Sequence, residues 1–379
     1  MAREWDLSRR QFLARSAGFA GASIGIATPG GAKGSRPGEE VRVSLVGAGD
    51  RGLQLLGALL RSGNVRVAAI ADPDPAHLRR AADLARDHGP RLSVDGGSII
   101  QGTDSDAVIL ATPVHLHEEQ ALLALAEGKH VYLEKPLAMT APGCRRVLLA
   151  AQEASQKGRI LQVGLQRRYN PRYRASMEAI HRGDAGRVLF IRAQWHSTGS
   201  PARGSKPWYH VREKSGDIVL EQACHQMDIF NWVFQCEPVR ACAMGGTSLS
   251  DGGSPCKDIL DHYGVSLEYP GGGMVHFSHL SFAIPDRRFA GVYELVLGER
   301  LGIDPANGIA WDRAGKTVEL SQAGGNDTQA AVEGFLESLR TGGTPLADAG
   351  TGYSSAMASL LVLRALEAGR TVAWREILA

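Results

Sequence analysis

Cysteine is scarce and unpatterned in this chain. The five thiols, Cys144, Cys224, Cys236, Cys242 and Cys256, are odd in number and show neither a Cys-x-x-Cys pair nor zinc-finger spacing. A disulfide framework is therefore not what holds the fold, although one bridge among the last four stays open. Long apolar runs are missing as well. The uncharged stretch Ser16 to Ala27 has twelve residues, short of the about 20 needed for an ordinary membrane-spanning helix. Charge of one sign is not in excess: the formal net charge is +2, and Arg3, Arg9, Arg10 and Arg15 against Glu4 and Asp6 account for it. That balance speaks against nucleic acid or an anionic membrane surface as a partner. No internal repeat and no long polar tract is present, which excludes a solenoid and a disordered chain.

What is present is a chain of 379 residues with 46 glycines, a length that suggests two domains with a cleft between them. Its first segment, residues 1–32, reads as a signal peptide. Ser8-Arg9-Arg10-Gln11-Phe12-Leu13 is a polar twin-arginine start, followed by the short Ala/Gly-rich stretch and by Thr28-Pro29-Gly30-Gly31-Ala32. The paired arginines favour the twin-arginine export machinery and an extracytoplasmic, periplasmic location. No clean cleavage site is visible, so an uncleaved anchor stays open.

Residues 41–46, VRVSLV, read as a buried parallel strand. Gly47-Ala48-Gly49-Asp50-Arg51-Gly52 follows at once, and then a helical pattern with Leu53, Leu56, Leu59 and Leu60. In such a turn the glycines allow a tight bend, backbone approach to a pyrophosphate and close helix packing. The helix N-terminus adds amide donors. A second strand, 65–71, ends in Asp72, 20 residues past Gly52, where a carboxylate can accept from ribose hydroxyls. Asp72 precedes Pro73 with no arginine beside it, which favours NAD; Arg79 and Arg80 keep NADP open. A helix-cap role is the structural alternative for Asp72. Strands at 107–111 and 130–133 run into Thr112-Pro113 and Glu134-Lys135-Pro136, which are expected to line the nicotinamide pocket. His115 and His117 form a His-x-His pair with no third ligand cluster, so no metal is expected; His117 reads as a helix start near the cofactor.

The segments VGAGDRG, AIADPDP, ATPVHLH, EGKHVYLEKPLAMT, GLQRRYNP and SGDIVLEQACHQMDIFNW, taken in order, make the chain resemble the Gfo/Idh/MocA family. The resemblance spans roughly residues 41 to 370. It implies a Rossmann-like NAD(P)-binding domain, here 41–164. An α+β domain with a large open, mostly antiparallel sheet follows, here 165–379, its final helix free to pack back on the first domain. Nicotinamide-dependent chemistry on sugars, cyclitols or polyols is implied too, as is pairing of subunits through the open sheet. Lys135 matches the family's active-site lysine. The later motif departs from the family pattern, with Glu221 where many members have Asp and Gln222 beside it, which leaves the substrate open.

Taken on its residues alone, 218–234 reads as one apolar helix whose exceptions, Glu221, His225 and Asp228, are spaced by four and three on one face. Three ionisable groups on a buried helix need partners or a wet cleft. A core histidine and a carboxylate paired with an arginine are the structural alternatives. Alcohol oxidation requires a group that takes the hydroxyl proton, and His225 and Lys135 both qualify. Glu221 is expected to orient His225 or to grip a sugar hydroxyl. Arg168 and Tyr169 at the domain junction, Asp228, and Trp208 and Tyr209 in the loop 199–216 are candidate substrate contacts. The cofactor-facing set is Gly47, Gly49, Arg51, Gly52, Asp72, Thr112, Pro113, His117, Glu134 and Lys135. Alternating segments 262–269 and 274–282 read as a hairpin, 292–297 as a further strand, and about 328–340 and 352–368 as closing helices.

Export and a dinucleotide site together favour a tightly held NAD, reduced and reoxidised within each turnover. Three readings follow: an exported oxidoreductase on a sugar, polyol or glycoside; an NAD-dependent glycoside hydrolase working by transient oxidation; and a sugar-binding protein without catalysis.

Overall fold

The structure, a computed structural model, describes residues 40–199, 206–248 and 258–378. The paired arginines and Cys256 lie outside the described residues. Cys144, Cys224, Cys236 and Cys242 are free thiols. Among the described residues no helix is long and apolar enough to cross a membrane.

The first half alternates strand and helix: β1 (Val41–Val46), α1 (Asp50–Arg61), β2 (Val65–Ala71), α2 (Pro75–Leu84), β3 (Arg91–Ser93), α3 (Gly96–Gly102), β4 (Ala107–Leu110), α4 (His117–Ala126), β5 (His130–Leu133), α5 (Ala141–Gln156) and β6 (Leu161–Val163). These strands form a parallel sheet in the order β3-β2-β1-β4-β5-β6. The strands β4 and β5 are buried along their whole length, as continuous apolar strands covered on both faces must be. Strand order reverses between β1 and β4, which opens a crevice at their carboxyl ends. Gly47, Thr112 and Glu134-Lys135-Pro136 each follow one of the strands at that edge.

The second half contains α6 (Pro171–His181), β7 (Val188–His196), α7 (Arg212–Ser215), α8 (Asp217–Glu221), α9 (Cys224–Phe234), β8 (Arg240–Gly246), β9 (His262–Tyr269), β10 (Gly273–Leu280), β11 (Gly291–Gly298), β12 (Leu301–Asp304), β13 (Ile309–Asp312), β14 (Thr317–Glu319), α10 (Asp327–Thr341), α11 (Ala349–Ala368) and β15 (Val372–Ala373). Its sheet has nine strands in the order β14-β13-β12-β11-β7-β10-β9-β8-β15. The pair β7–β10 is parallel and the others are antiparallel. Ala193, Val265, Phe277 and Val296 are buried on one face, while Arg192 and His276 alternate with them on the open one. Helix α11 packs on β8 and α9 and also on α5, and α10 packs on α1, so both closing helices reach back to the first sheet.

The hairpin and the closing helices lie where the sequence pattern put them. The helix expected over 218–234 does not run through. It breaks at Gln222–Ala223 into α8 and α9. In an unbroken helix the Glu221 carbonyl would accept from His225. Here the His225 amide bonds the Gln222 carbonyl instead, and the Glu221 carbonyl accepts from the ammonium of Lys135. A tertiary partner has taken one rung of the ladder.

Candidate active site

Backbone geometry builds the dinucleotide turn. Gly47 has a φ of +91°, and a Cβ there would lie 2.5 Å from the Ala111 carbonyl oxygen. A Cβ on Gly52 would collide with the carbonyl oxygen of Gly47. Gly49 differs, because a Cβ there would meet nothing nearer than the His77 ring at 3.8 Å. It is also the N-cap of α1 and supplies no side-chain cap to the helix amides. An open cradle over uncapped helix amides fits a pyrophosphate, so the turn suits a dinucleotide. Asp72 is buried at the end of β2 and its two oxygens accept from the amides of Ala48 at 2.6 Å and Asp74 at 2.8 Å. The carboxylate is thus locked against the glycine turn, with acceptor capacity left for a ribose hydroxyl. His77 stands 3.3 Å from it, and Arg79 and Arg80 are exposed on α2.

The two segments expected at the nicotinamide end are tied together by His117. Its Nδ1 lies 2.8 Å from the Pro136 carbonyl oxygen and its Nε2 2.9 Å from that of Thr112. Burial pushes the His117 pKa down, against the pull of those carbonyls. Arg51 and Glu134 face each other: Arg51 Nε donates to Glu134 at 2.7 Å and its Nη1 to Thr328 at 2.8 Å. Glu134 also accepts from the Lys135 amide, and Gly164 leaves the space its carboxylate fills. These two residues brace the turn against the loop after β5.

Lys135 crosses from the first sheet to the second half. Its Nζ donates to the Glu221 carbonyl and, at 2.9 Å, to Glu221 Oε1. Burial lowers the Lys135 pKa, but Glu221, Cys224 and Glu134 outweigh it, so the ammonium is held above its ordinary value. Glu221 therefore orients Lys135, and among the described residues it makes no hydrogen bond with His225. His225 is buried, and its Nδ1 has no hydrogen-bond partner. Burial first, and then the cations of Lys135, Arg167 and Arg51, drive its pKa well below the usual histidine range. The site thus holds a fixed cation within electrostatic reach of a neutral imidazole.

The remaining candidates divide. Arg168 grips Asp228 with Nε at 2.9 and 3.0 Å and Nη2 at 2.8 Å, and its guanidinium lies over Trp232 at 4.7 Å. This is the arginine-pairing alternative for Asp228, and it occupies both groups. Tyr169 is buried against Gly334 of α10, and its hydroxyl accepts from the Ala347 amide. That places it in the packing between the turn that carries it and the closing helices. Tyr209 is buried with an unpartnered hydroxyl; burial and the nearby carboxylates of Glu221 and Asp217 raise its pKa well above normal. Trp208 packs partly buried beside it. Sequence reasoning missed Glu294, Tyr173 and Gln226, which with Arg167 form a network in which Glu294 accepts from Arg167, Tyr173 and Gln226 at 2.6, 2.8 and 2.9 Å. Only the mid-strand acid in VYELVL hinted at it.

A parallel dinucleotide sheet joined to an open mixed sheet, with Lys135 of the first bonded to Glu221 of the second, defines the class: a two-domain oxidoreductase fold. Family models match both halves. Residues 41–165 match "Oxidoreductase family, NAD-binding Rossmann fold", and residues 173–300 match "GFO/IDH/MocA C-terminal domain". The chain belongs to the Gfo/Idh/MocA family. It is 31% identical over 223 residues to an inositol 2-dehydrogenase of Acidothermus cellulolyticus, covering 58% of this chain and 61% of that one. Against an inositol 2-dehydrogenase of Ralstonia nicotianae it is 31% identical over 196 residues, 51% of this chain and 54% of the relative. The chain thus matches somewhat over half the length of these relatives. The fold is shared with scyllo-inositol dehydrogenase from Lactobacillus casei, solved with NAD(H) and scyllo-inositol, at a TM-score of 0.72 and 19% identity over 89% of this chain and 100% of that one.

Proposed function

We propose that this chain is an NAD-dependent oxidoreductase that oxidises a secondary alcohol of a cyclitol or sugar. The observation that carries the reading is the Lys135–Glu221 contact, which fixes a part-buried cation within electrostatic reach of a neutral His225. When bound, the nicotinamide supplies the hydride acceptor. His225, uncharged at neutral pH, takes the proton of the substrate hydroxyl. Lys135 remains an ammonium, donates to the same oxygen and stabilises the charge that develops there. Glu221 keeps Lys135 in place, while Arg51 and Glu134 hold the glycine turn against the loop that carries it. Asp72, with no adjacent arginine, supports NAD over NADP. The curated relatives named inositol 2-dehydrogenase support a cyclitol as the first substrate to try.

The finer reading is that the protein is exported by the twin-arginine route and keeps its NAD through each turnover. The paired Arg9 and Arg10 ahead of a short apolar stretch support it. Self-association through the open face of the second sheet is part of the same proposal, supported by the exposure of Met244 and Met274.

The test is to purify the protein, denature it, identify any released nucleotide by mass spectrometry, and assay it with myo-inositol, scyllo-inositol and glucose. NAD binding with NADH formed from a polyol supports the dehydrogenase. Retained NAD with net cleavage of aryl glycosides and no NADH transfers the proposal to the hydrolase. Sugar binding without any NAD affinity overturns both.

A further inference from the structure

Histidines that move protons are usually oriented by a hydrogen bond to the second ring nitrogen. His225 has none at Nδ1, and the carboxylate four residues before it is taken by Lys135. Its ring packs instead on Trp195 of β7, centroids 6.3 Å apart and planes within 20°. Trp195 is half-buried and has three aromatic or cationic neighbours. Beside His225 they are the Arg167 guanidinium at 5.7 Å and the His279 ring at 5.9 Å. Arg167 is bound to Glu294, and Glu294 accepts from Gln226, the residue after His225 in α9. The contacts therefore close on themselves: His225, Trp195, Arg167, Glu294, Gln226 and back along the helix to His225.

We infer that Trp195 is the positioning residue for His225, fixing the imidazole by ring stacking where other sites use a carboxylate. The inference rests on the proposed role of His225 as proton acceptor. Stacking restrains the ring plane and keeps water from one face, and the Arg167–Glu294 pair behind Trp195 keeps the indole itself from tilting. The groups that face His225 are Lys135, Arg167 and Arg51, all cationic, with Glu221 engaged by Lys135. None of them replaces the indole as a restraint, because each is committed to a carboxylate.

The test compares Trp195→Leu, Trp195→Phe and His225→Ala in the full chain, with two readouts. One is the pH profile of kcat/KM at saturating NAD with the polyol that is turned over. The other is the NMR titration of the His225 ring in apoprotein carrying labelled histidine, its signal assigned by its loss in His225→Gln. Trp195→Leu is expected to lower kcat by about tenfold with KM nearly unchanged and to move the His225 titration up by about one pH unit as water reaches the ring. Trp195→Phe keeps a smaller stacking surface and should show a shift in the same direction of lesser size. An unchanged titration in Trp195→Phe overturns the inference even should Trp195→Leu not fold. So does a loss confined to KM with the wild-type profile, which would make Trp195 a substrate platform. Full turnover in His225→Ala would instead remove the functional reading on which the inference stands; loss there with unmoved titration in both Trp195 variants removes the inference alone.

Discussion

In the first domain, the turn Gly47 to Gly52 does its work with backbone. Two of its three glycines are demanded by atoms of the protein and the third has room for a Cβ, with only the His77 ring in ordinary contact. The second domain builds its share of the site from side chains brought across the fold: Glu221 reaches a lysine 86 positions earlier, and His225 rests on an indole from another element. A backbone site is local and repeats in recognisable form. A side-chain site at a domain junction depends on partners that sequence distance hides.

The hardest way to break that contrast is at Lys135, where the two domains meet. Lys135→Ala should lower kcat by about a thousandfold or more while NAD affinity stays within a few-fold, measured by steady-state kinetics and cofactor titration. A proportionate loss of NAD binding would move Lys135 from chemistry to cofactor binding.

Arg168→Met tests whether a charged pair of the second domain serves substrate or structure. It strands a buried carboxylate on Asp228, and removal of one partner of such a pair costs about 3–5 kcal/mol. A large drop in chemical-denaturation stability is expected. Unaltered stability with a raised KM would restore Arg168 and Asp228 to the substrate contacts.

The glycines sharpen the comparison from the other side. Gly52→Ala should lose stability by about 1–3 kcal/mol through overpacking at the turn, seen in thermal melts of the apoprotein. Gly49→Ala should leave the melt nearly unchanged and weaken NAD binding instead, because a methyl there meets only the His77 ring. Equal effects of the two on the apoprotein melt would contradict the open cradle.

The smallest effect is on pH. A His225 pKa well below 6.5 predicts that kcat/KM stays level as pH falls through the ordinary histidine range and declines only below it. The raised Lys135 pKa predicts an alkaline decline centred above the ordinary lysine range. An acid limb centred near 6.5 would show that His225 is not the proton acceptor or is not buried as described.

Much of the first domain was legible in the sequence because its signals are local. Strand, glycine turn, helix and acid follow one another within one stretch of chain, and each leaves a recognisable spacing. The second domain was readable in outline, from the alternation at 262–269 and 274–282 and from the two closing helices. Its site was only half readable. Glu221 and His225 stood out as ionisable groups in an apolar run, but the period of a helix could not reveal that Glu221 gives its carbonyl to Lys135 and breaks the helix there. Arg168 and Tyr169 adjoin in sequence, yet one closes on Asp228 and the other packs under α10. Trp195 left no mark, since an aromatic in a strand is most often core.

An ammonium has three hydrogens to give. On Lys135 two are directed at the same residue, one at its carbonyl and one at its carboxylate. A single N–H vector is left over for anything that enters the crevice. On the proposed function, the ring position oxidised would then be set by subtraction: of the hydroxyls on a polyol ring, the one that meets the remaining vector would be the one presented for oxidation. A change at Glu221 would free a second vector and loosen the choice among ring positions without adding any new contact to the substrate.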